Sequence, residues 1–92
     1  MEQLDRIAGH ASVPSWEHDP ARRDAVAFRL LLVARMARDG ERPSDITPED
    51  WAWAQGLERF GGIVEPSRAD FLRVVQVEVP AVRARLQAST EG

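Results

Sequence analysis

Apolar residues are densest between Asp19 and Gly40, where they cover more than half of the circumference of a predicted helix. Asp19 is a good N-cap, and Pro20 suits the first helical position because its missing N–H would be unpaired there. Gly40 is the predicted stop, since glycine takes the left-handed cap conformation at little cost. A helix that is apolar on most sides is buried on most sides. We therefore predict a helix over 20–38 that the other elements, or a partner chain, surround.

The second predicted helix runs over 48–60 and carries the clearest start signal in the chain. Thr47 is the expected N-cap, Pro48 occupies the first position, and Asp50 stands where a capping box places its acid. The glycine pair at 61–62 is the expected stop.

The apolar residues of this second helix fall on different faces. Three of them share one face by their helical spacing, and we predict it to be the core face: Trp53, Leu57 and Phe60. Trp51 lies nearly opposite, beside Gln55 and Glu58. One interpretation is that Trp51 packs against the N-terminal segment or over the polar connector 41–46. The other is that it anchors a protein interface, since tryptophan is enriched among binding hot spots.

The last third of the chain carries an apolar stripe that Pro80 interrupts. Its members recur at helical spacing: Phe71, Val75, Val79, Val82 and Leu86. Proline removes a backbone hydrogen bond and disfavours helical geometry at Val79, the residue before it. We therefore predict either two helices, over about 67–77 and 80–88, or one kinked helix, with a strand at 75–79 as the minority alternative.

Residues 1–18 are predicted to be a leader to which the pattern assigns no firm secondary structure. Four apolar residues form a short helical stripe in it: Leu4, Ile7, Ala8 and Ala11. Gly9 weakens this stripe, and the sequence at 13–15 ends it. Trp16 follows, and we expect it to dock on the side of the 20–38 helix because large aromatic residues dominate core energetics.

Composition and charge argue against some classes of function but do not identify one. The 92 residues make one predicted domain with a frayed tail at 89–92, and all 12 basic residues are arginine. The net charge of −3 hides alternating blocks, acidic at 1–19 and 41–65 and basic at 20–40 and 66–92. The blocks either pair internally, at little gain per exposed pair, or aim an acidic side at a basic partner. Overall acidity counts against generic nucleic-acid binding.

Little in the chain indicates catalysis or metal binding. His18 stands between Glu17 and Asp19, but adjacent residues do not face one another, and zinc needs more ligands than this group offers. We expect a solvated turn there, no metal site and no cofactor. Without a cysteine, a phosphate loop or a specified nucleophile, we predict no enzymatic activity. The absence of cysteine, of a signal peptide and of a membrane span fits a cytoplasmic protein.

One stretch, SRADFLRVVQVEVPAVRARL at 67–86, resembles the helix-turn-helix segment of phage-repressor-like bacterial regulators. Val77 matches the apolar residue of the turn, and Pro80 matches the opening of the recognition helix. The sequence departs from the family at Leu72, where a small residue is usual, and at Gln76, where glycine opens the turn.

The resemblance implies that the second motif helix enters the major groove of DNA. By position, it assigns two sets of DNA-facing residues, one toward bases (Glu78, Ala81, Arg83 and Arg85) and one near phosphates (Arg68 and Arg73).

Taken together, the patterns predict an all-α domain of three to four helices with the last one broken at Pro80. Our first hypothesis is a non-catalytic protein-interaction module, such as a small phage, plasmid or toxin–antitoxin type regulator, an adaptor or an inhibitor. Its predicted partner-binding residues are Trp51, Gln55 and Glu58. The alternative is a DNA-binding regulator that uses residues 67–86. A homodimer would explain the wide apolar surface of the 20–38 helix and would suit either hypothesis.

Overall fold

The computed structural model of the chain describes residues 2–61 and 68–91. The helices are α1 (Glu2–Ala11), α2 (Pro20–Asp39), α3 (Pro48–Gly56), α4 (Arg68–Arg73) and α5 (Val79–Glu91). Short 3-10 segments follow α1 and α3, at Trp16–His18 and Leu57–Gly61. The all-α prediction is confirmed, and the strand alternative at 75–79 is wrong. Gly62 and Ser67, where a predicted stop and a predicted start fall, lie outside the described residues.

α2 is the helix on which most of the described elements up to Gly61 pack, while α5 packs on α1. α1, α3 and both 3-10 segments contact it. Asp19 caps it as predicted, with a carboxylate oxygen that accepts from the backbone N–H groups of Ala21 at 3.1 Å and Arg22 at 3.4 Å. One side of the helix is buried: Val26, Leu30, Val33, Ala34 and Ala37. The predicted helix over 20–38 is therefore confirmed, with one residue more at its end.

The conformation predicted for Gly40 is wrong. Its φ of −103° and ψ of 171° are extended rather than left-handed. A Cβ at this position would lie 2.9 Å from the carbonyl oxygen of Met36, which accepts the Gly40 N–H at 2.9 Å. Glycine thus suits this helix end because the backbone comes close, and its left-handed freedom is not used.

The N-terminal segment is part of the core, which corrects its description as a leader. Leu4 and Ile7 of α1 are fully buried, and α1 packs on both α2 and α5. Trp16 docks beside α2 as predicted and is 3% exposed, with its ring centroid 5.9 Å from that of Phe71. α1 therefore lies between the central helix and the C-terminal helix and contacts both.

α4 and α5 form one continuous helix through a π-helical segment at Val74–Glu78. Val79 keeps right-handed helical angles, φ −58° and ψ −48°, so its predicted departure from the helix before Pro80 is wrong. Its N–H bonds to the carbonyl of Val74, five residues back, and this wider turn absorbs the irregularity next to the proline. Of the two alternatives, the single helix is observed. It continues through Glu91, into the predicted tail.

The wider π turn also explains the inward residues of this helix. In addition to most of the predicted stripe, it brings one further valine into the core, and the buried set is Val74, Val75, Val79, Val82 and Leu86. Phe71 is half-buried at the edge, where its ring centroid lies 5.8 Å from that of Phe60.

α3 begins as predicted, because the Thr47 hydroxyl oxygen accepts the backbone N–H of Asp50 at 3.1 Å. Its core face, however, is rotated relative to the prediction. Asp50, Ala54 and Leu57 are buried, whereas Trp53 is half-buried beside them. After Gly56 a 3-10 segment replaces the α-helix. The side chains in the last turn of the predicted 48–60 helix therefore point in directions that differ from those of a regular α-helix.

Leu30→Ala should lower the free energy of unfolding by about 2–5 kcal/mol, since it opens a cavity at the fully buried centre of α2. Phe28→Ala removes a larger side chain from the same helix but from its solvent side, and should cost less than about 1 kcal/mol. Urea denaturation at low protein concentration measures both. Equal losses for the two variants would contradict this account of α2.

Candidate protein-binding surface

The side of α2 that faces away from the core carries large apolar side chains. Phe28 is 57% exposed and Met36 is 49% exposed, with the half-buried Leu32 between them. Residues spaced by four lie along one face of a helix, so these three form a stripe. The elements that pack on α2 leave this stripe exposed. Of the two alternatives predicted for this helix, enclosure on most sides by other elements of the fold is therefore wrong, and enclosure by a partner chain stays a prediction.

An open groove of about 610 Å³ lies beside the stripe. Its apolar walls come from Leu32 and Met36 of α2, Pro43 of the connector and Trp51 of α3. Arg35, Asp39 and Glu41 add the charged groups of its lining. The stripe and the groove share two residues, so we treat Phe28, Leu32, Met36 and Trp51 as one surface, the α2–Trp51 surface.

Trp51 combines features of both interpretations offered by the sequence. It is half-buried and packs against the edge of the core, and it lines the groove with Gln3 of α1 and Pro43 of the connector. The tryptophan therefore lies beside the N-terminal segment and the connector. The rest of its surface stays open to the groove.

Gln55 and Glu58, the other two predicted partner-binding residues, are held by the end of α2. The Gln55 side-chain amide donates to the carbonyl of Ala37 at 3.2 Å, and Glu58 accepts from Arg38 at 2.9 Å. Both side chains remain exposed. Their polar atoms nevertheless already have partners within the fold, and neither residue lines the groove, so the structure brings only Trp51 to the α2–Trp51 surface.

An ion pair between the buried carboxylate of Asp50 and the exposed Arg85 joins α3, the helix that carries Trp51, to α5. Both carboxylate oxygens of Asp50 accept from Arg85, at 2.7 and 2.9 Å, while Asp50 itself is only 6% exposed. The hydrogen bond from Arg85 lowers the pKa of Asp50 and outweighs its burial, which acts in the opposite direction. The sequence assigned Asp50 to a capping box. Its position one and two turns before the buried Ala54 and Leu57 was the signal that it faces inward.

The arginines that the helix-turn-helix resemblance assigns to DNA mostly make internal ion pairs. Arg83 donates to Asp5 at 2.9 Å, Arg85 binds Asp50, and Arg73 donates to Asp70 at 2.8 Å. Arg73 also donates to Glu78 at 3.1 Å, and Glu78 accepts from Trp53 at 2.8 Å. Arg68 and Ala81 are exposed. The Arg83 and Arg85 pairs join a basic block to an acidic block, whereas Arg73 pairs with acids of its own block.

The turn that this resemblance needs near Gln76 and Val77 is occupied by the π-helical segment of a continuous helix. The helix-turn-helix resemblance itself stays a prediction. Nothing in the described geometry of 68–91 adds support to it.

The other sequence candidates form no site. His18 lies in the 3-10 segment with a mostly exposed side chain, 3.7 Å from the Glu17 carboxylate. Over residues 2–61 and 68–91, no group of three or more histidine, cysteine or acidic side chains is placed to hold a metal ion. Within the same residues, no helix has both the length and the apolar character that a membrane span requires.

Comparisons of the chain with protein-family models, curated proteins and solved structures gave no match. Its function must therefore be argued from its own surface. The feature that the fold leaves unexplained is the α2–Trp51 surface, which exposes apolar side chains without a covering element.

Asp50→Asn should lower the free energy of unfolding at pH 7 by about 1–3 kcal/mol, because it removes a charge-assisted hydrogen bond with Arg85. The folded-state pKa of Asp50 lies below its unfolded value. Its carboxylate therefore stabilises the fold above about pH 4, and this contribution is lost as the pH falls through the folded-state pKa. Urea denaturation at pH 7 and at about pH 2 should show the difference between Asp50→Asn and wild type shrinking in acid.

Glu49→Gln is the matched control, since Glu49 is an exposed acid on the same helical turn. It should change stability far less at either pH. A difference between Asp50→Asn and wild type that stays equally large at both pH values would show that the ion pair is not its cause.

Proposed function

We propose that this protein is a non-catalytic interaction module that binds a protein partner through the α2–Trp51 surface. The observation that carries the proposal is the exposure of Phe28 and Met36 on one helix face. In the part of the chain that the structure describes, they are two of the three large hydrophobic residues that are well exposed, and the third is Val77 on the α4–α5 helix. Contiguous apolar patches of this kind mark interaction sites, whereas single exposed residues do not.

Burial of the stripe against a partner would contribute favourable free energy to binding. Full burial of a phenylalanine or methionine side chain contributes roughly 1.5–3 kcal/mol, and about half of each is still available here. Trp51 is the type of residue that most often dominates such contacts. The surface therefore suits an apolar element of a partner, such as one face of a helix, lying along α2.

The charges around the surface would orient a partner. Arg35 and Glu41 are exposed, with no ion pair to another described residue, whereas Asp39 is already bound to Arg38 at 3.1 Å. An interface with apolar residues at its centre and unpaired charges at its rim follows the usual anatomy of protein contacts. Small size, an accessible apolar surface and charged rim groups suit the role of a regulator, an adaptor or an inhibitor.

Site-specific photocrosslinking in the cells that produce the protein tests the proposal. A photoreactive phenylalanine analogue at Phe28 should give a discrete adduct, because a partner covers this position. The same analogue at Val77, the matched exposed residue on another helix, should give none. Met36→Asp should suppress the adduct at 28, since it places a charge in the stripe. Mass spectrometry of the adduct identifies the partner.

The proposal is wrong if positions 28 and 77 give the same adducts. It is equally wrong if position 28 gives none, or if Met36→Asp leaves the adduct unchanged while circular dichroism shows that the variant is folded.

A further inference from the structure

We infer that the partner of the outer face of α2 is α2 of a second copy of this chain, lying antiparallel across a two-fold axis. The inference rests on the proposed function and names its partner. It starts from two charges on this face that have no role within the fold, Asp24 and Arg35. Both are exposed, and neither makes an ion pair or hydrogen bond with another described residue. By contrast, Arg38, Arg83 and Arg85 each bind an acid.

The two charges lie on one line along the helix. Eleven residues make just over three turns, so Asp24 and Arg35 differ by only about 20° around the axis and by about 16 Å along it. Between them lie the exposed Phe28 and the half-buried Leu31 and Leu32. Along this face the order of residue types is therefore an acid, an apolar centre and a base.

This order is self-complementary when the second helix runs in the opposite direction, because the acid of each copy then meets the base of the other. In an antiparallel pair with the two-fold axis at the middle of this face, between residues 29 and 30, Asp24 of one copy lies opposite Arg35 of the other, and this ion pair occurs twice. Phe28 lies opposite Leu31 of the second copy, also twice. A two-fold interface requires a patch that matches itself in this way. A foreign helix could cover Phe28 as well, but it would not account for opposite charges placed symmetrically about the apolar centre.

The area of this face determines how tightly two copies of the chain are expected to bind. α2 is about 30 Å long, so two such faces in contact bury on the order of 1,000 Å², at the low end for specific interfaces. We therefore expect a reversible dimer with a dissociation constant in the micromolar range or weaker.

Sedimentation velocity with charge-swapped variants tests the pairing. Wild type should shift from monomer to dimer between about 10 µM and 1 mM. Asp24→Arg alone and Arg35→Asp alone should each weaken dimerisation at least about tenfold, because each places two pairs of like charges across the axis. An equimolar mixture of the two variants should recover dimers, since every contact in the mixed pair joins opposite charges. The double variant D24R/R35D, which keeps the wild-type net charge, should also dimerise.

Arg68→Asp is the control for net charge, because Arg68 is an exposed arginine far along the chain from α2 and should leave dimerisation unchanged. Circular dichroism checks that each variant is folded, as expected for exposed positions. A wild type that stays monomeric over the whole range overturns the inference, and so does a mixture that recovers no dimer.

This result is separable from the test of the proposed function. A monomeric protein that still gives an adduct with a different protein at position 28 loses this inference and keeps the proposed function. A monomeric protein that gives no adduct loses both, whereas an adduct between two copies supports both.

Discussion

The structure depends on the burial of one side of α2. Helices α1 and α3 and both 3-10 segments pack against this helix, and the first and last thirds of the chain meet where α1 contacts α5. Leu30 and Val26, near its middle, are fully buried, so the apolar contacts that hold the fold together converge on a few adjacent turns. In a domain of 92 residues, where only a modest fraction of surface can be buried, one shared helix is an efficient way to build a core.

Ion pairs fix how the surrounding helices sit on that core. Asp50–Arg85 links α3 to α5, and Asp5–Arg83 links α1 to α5. Apolar packing alone is non-directional, whereas the bidentate contact of Arg85 with Asp50 has a defined geometry. The arginine-rich composition suits this use, because a guanidinium binds both oxygens of one carboxylate. The α3–α5 ion pair is the more protected from water of the two, since Asp50 is buried while Asp5 is exposed. These two ion pairs thus join acidic and basic blocks that are far apart in the sequence.

Local signals were enough to predict where α2 and α3 begin, but not how α3 is turned or that α1 is a helix of the core. The caps at Asp19 and Thr47 act within three residues, so the sequence alone located both starts. The rotation of α3 depends on Asp50 meeting Arg85, 35 residues away, and no local pattern contains that contact. The π segment before Pro80 is similar, since it places both Val74 and Val75 in the core, which an ideal helical period does not predict. Tertiary contacts decided these features.

The candidate surface could be predicted only in outline for the same reason. The sequence shows that α2 is apolar on most sides, and Trp51 is recognisable as a residue off the predicted core face. It does not show which of the apolar residues remain uncovered, because that depends on where α1 and α3 cross the helix. The elements packed on α2 cover one side of it and part of its flanks, and Phe28 lies on the side that remains. The part of Phe28 that stays exposed gains nothing from the fold, so its free energy of burial is available to an interface.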